Sequence, residues 1–173
     1  MRDTTHGRKA GRRNAKRRSA ERGAALVEFA IGALVFLLAV FAVLEFGRLL
    51  WTHNALADAA RRAARYAVTQ SAGTATSATG ITGRNVGPSV AAIRNVAVYG
   101  KPQGGTTPLV NGLKPENIEV VYSNFALGDG TVSVRIVNYD FNFVLPVLGA
   151  AVSMPTYHTT LTAESIGYKP KDI

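Results

Sequence analysis

From Ala24 to Gly47 the chain reads AALVEFAIGALVFLLAVFAVLEFG, an apolar run marked only by Glu28 and Glu45. The 16 residues between those two acids carry no charge and no strongly polar group. A hydrocarbon core of ~30 Å needs about 20 helical residues, so the run is long enough to span a bilayer. No Pro interrupts it. A cleaved secretory signal has an apolar core of about 7–15 residues, and this run is longer and passes straight into another helical stretch. That stretch, residues 51–68, reads WTHNALADAARRAARYAV and holds neither Gly nor Pro. Leu56, Ala59, Ala60, Ala63 and Ala67 recur at helical spacing, with Asp58, Arg61, Arg62 and Arg65 on the other side. A stripe of such small side chains fits two roles. It suits close approach by a second helix, and it also suits packing on the chain's own outer domain. The pattern predicts one long helix from Ala24 to Val68, about 68 Å at the standard rise.

After the helix the periodicity changes. Residues 71–89, SAGTATSATGITGRNVGPS, are small and polar and read as a linker. Pro88 precedes a predicted short helix over Ser89–Val98, with Val90, Ile93, Ala97 and Val98 on one face. Alternation then begins at Ile118, Val120 and Tyr122, and a hairpin connection is expected from Asn124 to Gly130. Val132, Val134 and Ile136 share the next strand face, but from Val137 the apolar phase flips to Val137, Tyr139, Phe141 and Phe143. A one-residue slip sends side chains to the opposite face, so a bulge or bend is expected at Ile136–Val137. Thr156–Ile166 reads as a third strand, and Leu145–Val152 as an apolar connection. The fold class is α+β: a long N-terminal transmembrane helix continuing into an amphipathic helix, then a small antiparallel sheet with a short helix. The expected segments are a basic leader over 1–23, a transmembrane helix over 24–50 and its extramembrane continuation over 51–70. A flexible linker over 71–89, an extracytoplasmic domain over 90–168 and a tail over 169–173 complete the order.

Charge sets the orientation. Residues 1–23 hold nine Lys and Arg against Asp3 and Glu21, so this arm carries +7 of the formal +9. A basic cluster abutting an apolar helix reads as a cytoplasmic anchor rather than a nucleic-acid-binding surface. The positive-inside bias then puts the N-terminus in the cytoplasm and the C-terminal domain on the other side of the membrane. Cysteine is absent, which removes disulfides and Cys-based metal sites. His6, His53 and His158 have no metal-ligand spacing, and there is no P-loop, dinucleotide fingerprint or nucleophile elbow. No catalytic residue, metal, cofactor, small-molecule substrate or nucleic-acid partner is expected. Ser153, His158 and Asp140 are the best hydrolytic trio on offer, and a domain of this size supplies such a set by chance.

Glu28 is the informative residue. A carboxylate at the centre of a membrane helix costs about 2.5–3.5 kcal/mol, less toward the cytoplasmic end where Glu28 lies. Cleavage after Gly23 would give Ala24 a positive amine and make Glu28 the fifth residue of the new chain. A neighbouring subunit shifted by about one turn could then set its amine against this acid. One Glu would thereby fix the axial register of a filament. The stretch Gly23-Ala-Ala-Leu-Val-Glu-Phe29, headed by a basic leader, resembles the processing site of type IV pilins and pseudopilins, and in particular the Flp/Tad subclass with an aromatic after the Glu. With Leu44-Glu45-Phe46-Gly47-Arg48 and Ala59-Ala60-Arg61-Arg62-Ala63-Ala64-Arg65-Tyr66-Ala67, residues 23–68 are similar to the TadE-like family. Val132–Phe143 and Thr156–Glu164 resemble its C-terminal part more loosely.

The resemblance implies a minor pseudopilin of a tight-adherence pilus, cut between Gly23 and Ala24 by a prepilin peptidase. It implies assembly contacts at Glu28 and Phe29, and partnership with other pilins, pseudopilins and the Tad machinery. Phe29 departs from the Tyr usual in the major pilins of this subclass. Glu45 and Arg48, three residues apart, read locally as an interfacial ion pair, with Trp51 as an aromatic anchor at the outer membrane interface. Two other functions compete: a permanently anchored extracellular binding module that keeps its leader, and a membrane-tethered hydrolase.

Overall fold

The computed structural model describes residues 5–73, 80–125, 130–145, 149 and 151–162, with residues 5–20 described by their helical backbone. The first element, α1 (Thr5–Val68), begins well before Ala24 and takes in most of the basic arm. Arg, Lys, Ala and Glu are good helix formers, and no Pro stops the helix on that side. Its last turn tightens: the Thr69 and Gln70 amides donate to Tyr66 and Ala67 carbonyls at 3.1 Å each. The chain divides into two compact units, Met1–Phe46 and Gly47–Ile173.

In the first unit the large apolar side chains of the helix are exposed. The apolar stretch is long enough to cross a membrane, and none of it is covered. Leu26, Phe29, Phe36 and Val43 are each about two-thirds to three-quarters exposed. The core helix of a soluble protein is mostly buried, unlike this exposed stretch.

The second unit is α+β. Leu56, Ala59, Ala60, Ala63 and Ala67 of α1 are at most 1% exposed and belong to one cluster with Ile93, Val98, Val120 and Val134. The alanine stripe therefore packs on the chain's own domain. The short helix α2 (Val90–Tyr99) buries Val90, Ile93, Val96, Ala97 and Val98. It ends on Gly100, whose left-handed φ of 74° lets its amide reach the Val96 carbonyl.

A four-stranded antiparallel sheet has the order β1-β2-β3-β6, with β1 at Ile81–Arg84, β2 at Ile118–Phe125, β3 at Thr131–Ile136 and β6 at Tyr157–Thr162. The register aligns Ile118, Ile136 and Tyr157, then Val120, Val134 and Thr159, then Tyr122, Val132 and Leu161. Those three rows form the core face. The hairpin between β2 and β3 closes as expected, with Ser123 opposite Thr131; residues 126–129 of its connection, with Asp129, lie outside the described residues. The expected third strand appears as β6, and its predicted end, residues 163–166, also lies outside them.

Two features differ from expectation. The stretch expected as a flexible linker contributes β1 to the sheet edge. Asn85 extends that edge: its amide donates to the Val120 carbonyl at 2.6 Å, and its Oδ1 accepts from the Val120 amide at 2.9 Å. The phase flip at Ile136–Val137 is a bend and not a bulge, because the strand ends there. Val137 donates to the Asn117 carbonyl, and Asn117 Nδ2 returns bonds to the carbonyls of Val137 and Asn138. Asn138 turns through φ 53°, and the chain enters a separate two-stranded sheet of β4 (Asp140–Asn142) and β5 (Ala151–Ser153). Part of the expected apolar connection, residues 146–148 and 150, lies outside the described residues.

Candidate functional site

The residues singled out in the sequence fall into two groups, one in each unit. Gly23, Ala24, Glu28 and Phe29 lie in continuous α-helix and are exposed. Ala24 and Glu28 are four residues apart, about one turn. A Cβ built on Gly23 meets nothing within 4 Å, so this glycine is not required by packing within the chain. Acid, small residues and aromatics here are offered outward, to lipid or to another molecule.

The second group begins just beyond the apolar run. Arg48 is tied into the smaller sheet. Its Nη2 donates to the Asn142 carbonyl at 2.5 Å, and its guanidinium lies 4.4 Å above the Phe141 ring. Phe141, 2% exposed, is held edge-on by Phe143 at 5.3 Å between centroids. Trp51, one turn on, is 60% exposed, and Thr52 is buried with its hydroxyl donating to the Arg48 carbonyl at 2.9 Å. A cleft of about 260 Å³ opens here, bounded by Arg48, Trp51 and Thr52 on α1, by the Asn111–Gly112 turn, and by Tyr139 through Asn142.

The tyrosines around this region are shaped by burial. Tyr139 donates its hydroxyl to the Asn111 carbonyl at 2.7 Å. Burial pushes its phenol above the usual value, while the Arg48 charge pulls the other way. Tyr157 shares a 2.7 Å hydrogen bond with His53 Nδ1, and the two rings meet edge-on at 5.1 Å. Burial, and then the neighbouring Tyr139, raise the Tyr157 phenol as well.

The hydrolytic trio does not assemble. Asp140 stands opposite Ser153 across β4 and β5, but His158 lies in the other sheet opposite Arg135. Among the described residues no hydrogen bond joins the three, and no group of three His, Cys, Asp or Glu is gathered for a metal. Sequence reasoning missed Asn111, Tyr139, Phe141 and Asn142 as partners of the α1 cleft. The Tyr139-Phe141-Phe143 alternation was the available signal, and it pointed to a strand face without naming what the face would hold.

The family described as TadE-like protein matches residues 23–65. This segment is TadE-like. The match begins at Gly23, runs through Glu28, the apolar stretch and Arg48, and ends within the alanine stripe at Arg65. It leaves the sheet domain unmatched, so the looser likeness over Val132–Phe143 and Thr156–Glu164 has no support from it. No curated protein and no solved structure matches the chain. The TadE-like family suggests a Tad pilus-associated component and is not an enzyme family. The uncovered apolar helix suggests single-pass membrane anchoring.

Proposed function

We propose that the protein is a TadE-like minor pseudopilin, a structural component of a Tad-type pilus that acts in assembly, adhesion or secretion. The observation that carries this reading is the coincidence of three features in one helix. The TadE-like segment starts at Gly23, Glu28 lies about one turn beyond Ala24, and the apolar side chains around Glu28 are exposed. In this reading the basic arm stays in the cytoplasm, residues 24–50 cross the bacterial membrane, and the sheet domain lies outside. A prepilin peptidase cuts after Gly23. The new Ala24 amine of one subunit then meets Glu28 of another, and the two charges neutralise inside an apolar bundle, where either alone is costly. Phe29 packs beside that contact. Glu45, Arg48 and Trp51 meet the outer interface.

N-terminal sequencing of the membrane-bound protein tests the processing step. A mature start at Ala24 is expected, and an intact arm would instead support a permanently anchored binding module. Replacing Glu28 with Ala is expected to impair assembly while membrane insertion continues. Normal pili in that variant would remove the register role.

A further inference from the structure

The connection between β4 and β5 has no role in that reading, and its composition is one-sided. Residues 143–152 read FVLPVLGAAV, ten in succession without a polar side chain. No Asp, Glu, Lys or Arg occurs between Asp140 and Glu164. Covering the core accounts for part of this, because Phe141 is buried and Phe143 packs edge-on against it. Val144 is instead 71% exposed, and Val152, paired with Phe141 across the two strands, is 42% exposed. Single exposed apolar residues are ordinary on a soluble surface, so position decides.

β4 runs along α1 toward the apolar stretch. Tyr139, just before the strand, neighbours Tyr157, whose hydroxyl is bonded to His53. Asn142, at the strand's end, is bonded to Arg48, five residues earlier on α1 and directly after Gly47. The chain leaving Asn142 therefore starts at the level of α1 where the apolar run stops. Val144 is two residues on, within about 7 Å of that point. Trp51, 60% exposed, lines the cleft beside Asn142 and is the kind of amphipathic ring enriched at headgroup level.

We propose that the apolar end of the β4–β5 hairpin docks on the outer leaflet of the bilayer, with Val144 and Val152 reaching the boundary between headgroups and acyl chains. The lipid occupant rests on the membrane reading above. Depth is limited by the backbone. Irregular loops and open sheet edges do not persist in hydrocarbon, so the strands stay at headgroup level and side chains alone reach inward. Burial of those side chains gives the outer domain a second hold on the membrane and fixes which of its faces meets the lipid.

The chain has no cysteine, so single Cys variants carry an environment-sensitive fluorophore at one site each. Val144→Cys and Val152→Cys are compared with Val35→Cys in the apolar run and with Arg65→Cys, about 25 Å beyond Arg48 along α1. Each full chain is reconstituted into phosphatidylcholine vesicles containing lipid brominated near the headgroup end or near the terminus of its acyl chains. Near-ultraviolet circular dichroism matching the wild type checks the fold, and the second hairpin position keeps the test decisive if one variant misfolds. Blue-shifted emission is expected at Val144, Val152 and Val35, with neither shift nor quenching at Arg65. The hairpin positions should lose more intensity to bromine near the headgroups, and Val35 more to bromine near the chain terminus. Hairpin positions that emit like Arg65 while Val35 is quenched would overturn the docking alone. Hairpin positions that are blue-shifted but untouched by bromine would mean that protein covers them, and would overturn lipid as the occupant. Val35 untouched by either lipid would sink the membrane reading, and the docking with it.

Discussion

Tyr122 and Tyr157 sit on the same core face of the sheet but satisfy their hydroxyls differently, and that contrast yields a signed prediction. Tyr122 is 1% exposed, and among the described residues its hydroxyl has no hydrogen-bond partner. A buried hydroxyl without a partner costs about 1–3 kcal/mol in desolvation. Tyr122→Phe removes that penalty and keeps the ring, with its contact to Phe125 at 5.2 Å. The void left by one oxygen is on the order of 10 Å³ and costs only about 0.2 kcal/mol by the cavity relation. The net expectation is a gain of about 1 kcal/mol. For a unit of this size that raises the melting temperature by about 3–5 °C. Tyr157→Phe makes the same chemical change where the hydroxyl is bonded to His53, so it should lose about 1 kcal/mol. Thermal melts of the full chain in detergent, followed by near-ultraviolet circular dichroism at the tyrosine bands, read aromatic packing in the sheet domain rather than helix content. If Tyr122→Phe lowers the melting temperature as Tyr157→Phe does, the claim of an unsatisfied hydroxyl is wrong.

Alkaline pH should weaken the domain. Burial raises the phenols of Tyr122, Tyr139 and Tyr157, so the folded state keeps protons that the unfolded chain has released. Stability is then full below about pH 10 and falls as pH rises through the folded values. Urea midpoints between pH 9 and 11.5 should decline, and less steeply in Tyr122→Phe. Ala63→Leu should overpack the fully buried stripe and cost about 1–3 kcal/mol, read from the same urea midpoints; no loss would mean the stripe does not pack on its own domain. Gly87→Ala should cost about 2 kcal/mol or more by thermal melt, since Gly87 has φ 97° and a Cβ there would come within 2.1 Å of the Ala72 carbonyl oxygen.

Much of the fold is visible in local pattern, because burial imposes a period on each element. The alanine stripe, the apolar face of α2 and the alternation of β2 and β3 all follow from one-sided contact with a core. The edge strand β1 does not follow from pattern. Ile81-Thr-Gly-Arg84 holds one large apolar residue, and it becomes a strand because β2 offers a free edge and Asn85 extends the pairing. The change at Ile136 was visible as a phase flip, but a flip does not say whether a strand bends within a sheet or leaves it. The Asn117 side chain decides that, from 20 residues away. The cleft was the least visible feature. Arg48 and Asn142 are 94 residues apart, and in the sequence the nearest opposite charge to Arg48 is Glu45.

The packing of the stripe also constrains where association can occur along α1. Two roles were open for Leu56, Ala59, Ala60, Ala63 and Ala67: contact with a second helix, or contact with the chain's own domain. At 0–1% exposure those side chains are already occupied, and a second helix would have to displace the sheet and α2 to reach them. The energetic cost of that displacement is the cost of unfolding the domain core. Beyond the exposed Trp51, what remains outward on α1 is mainly polar, with Arg61 and Arg65 exposed and Asp58 paired with Arg62. Apolar surface free for lipid or for other subunits is therefore concentrated in residues 24–47, where Leu, Phe and Val stand exposed around Glu28. Exposed apolar side chains bind without direction, whereas an acid in hydrocarbon favours only those neighbours that supply a positive group. In the proposed assembly, specificity along this helix rests on Glu28, and the sheet domain is left for a separate contact.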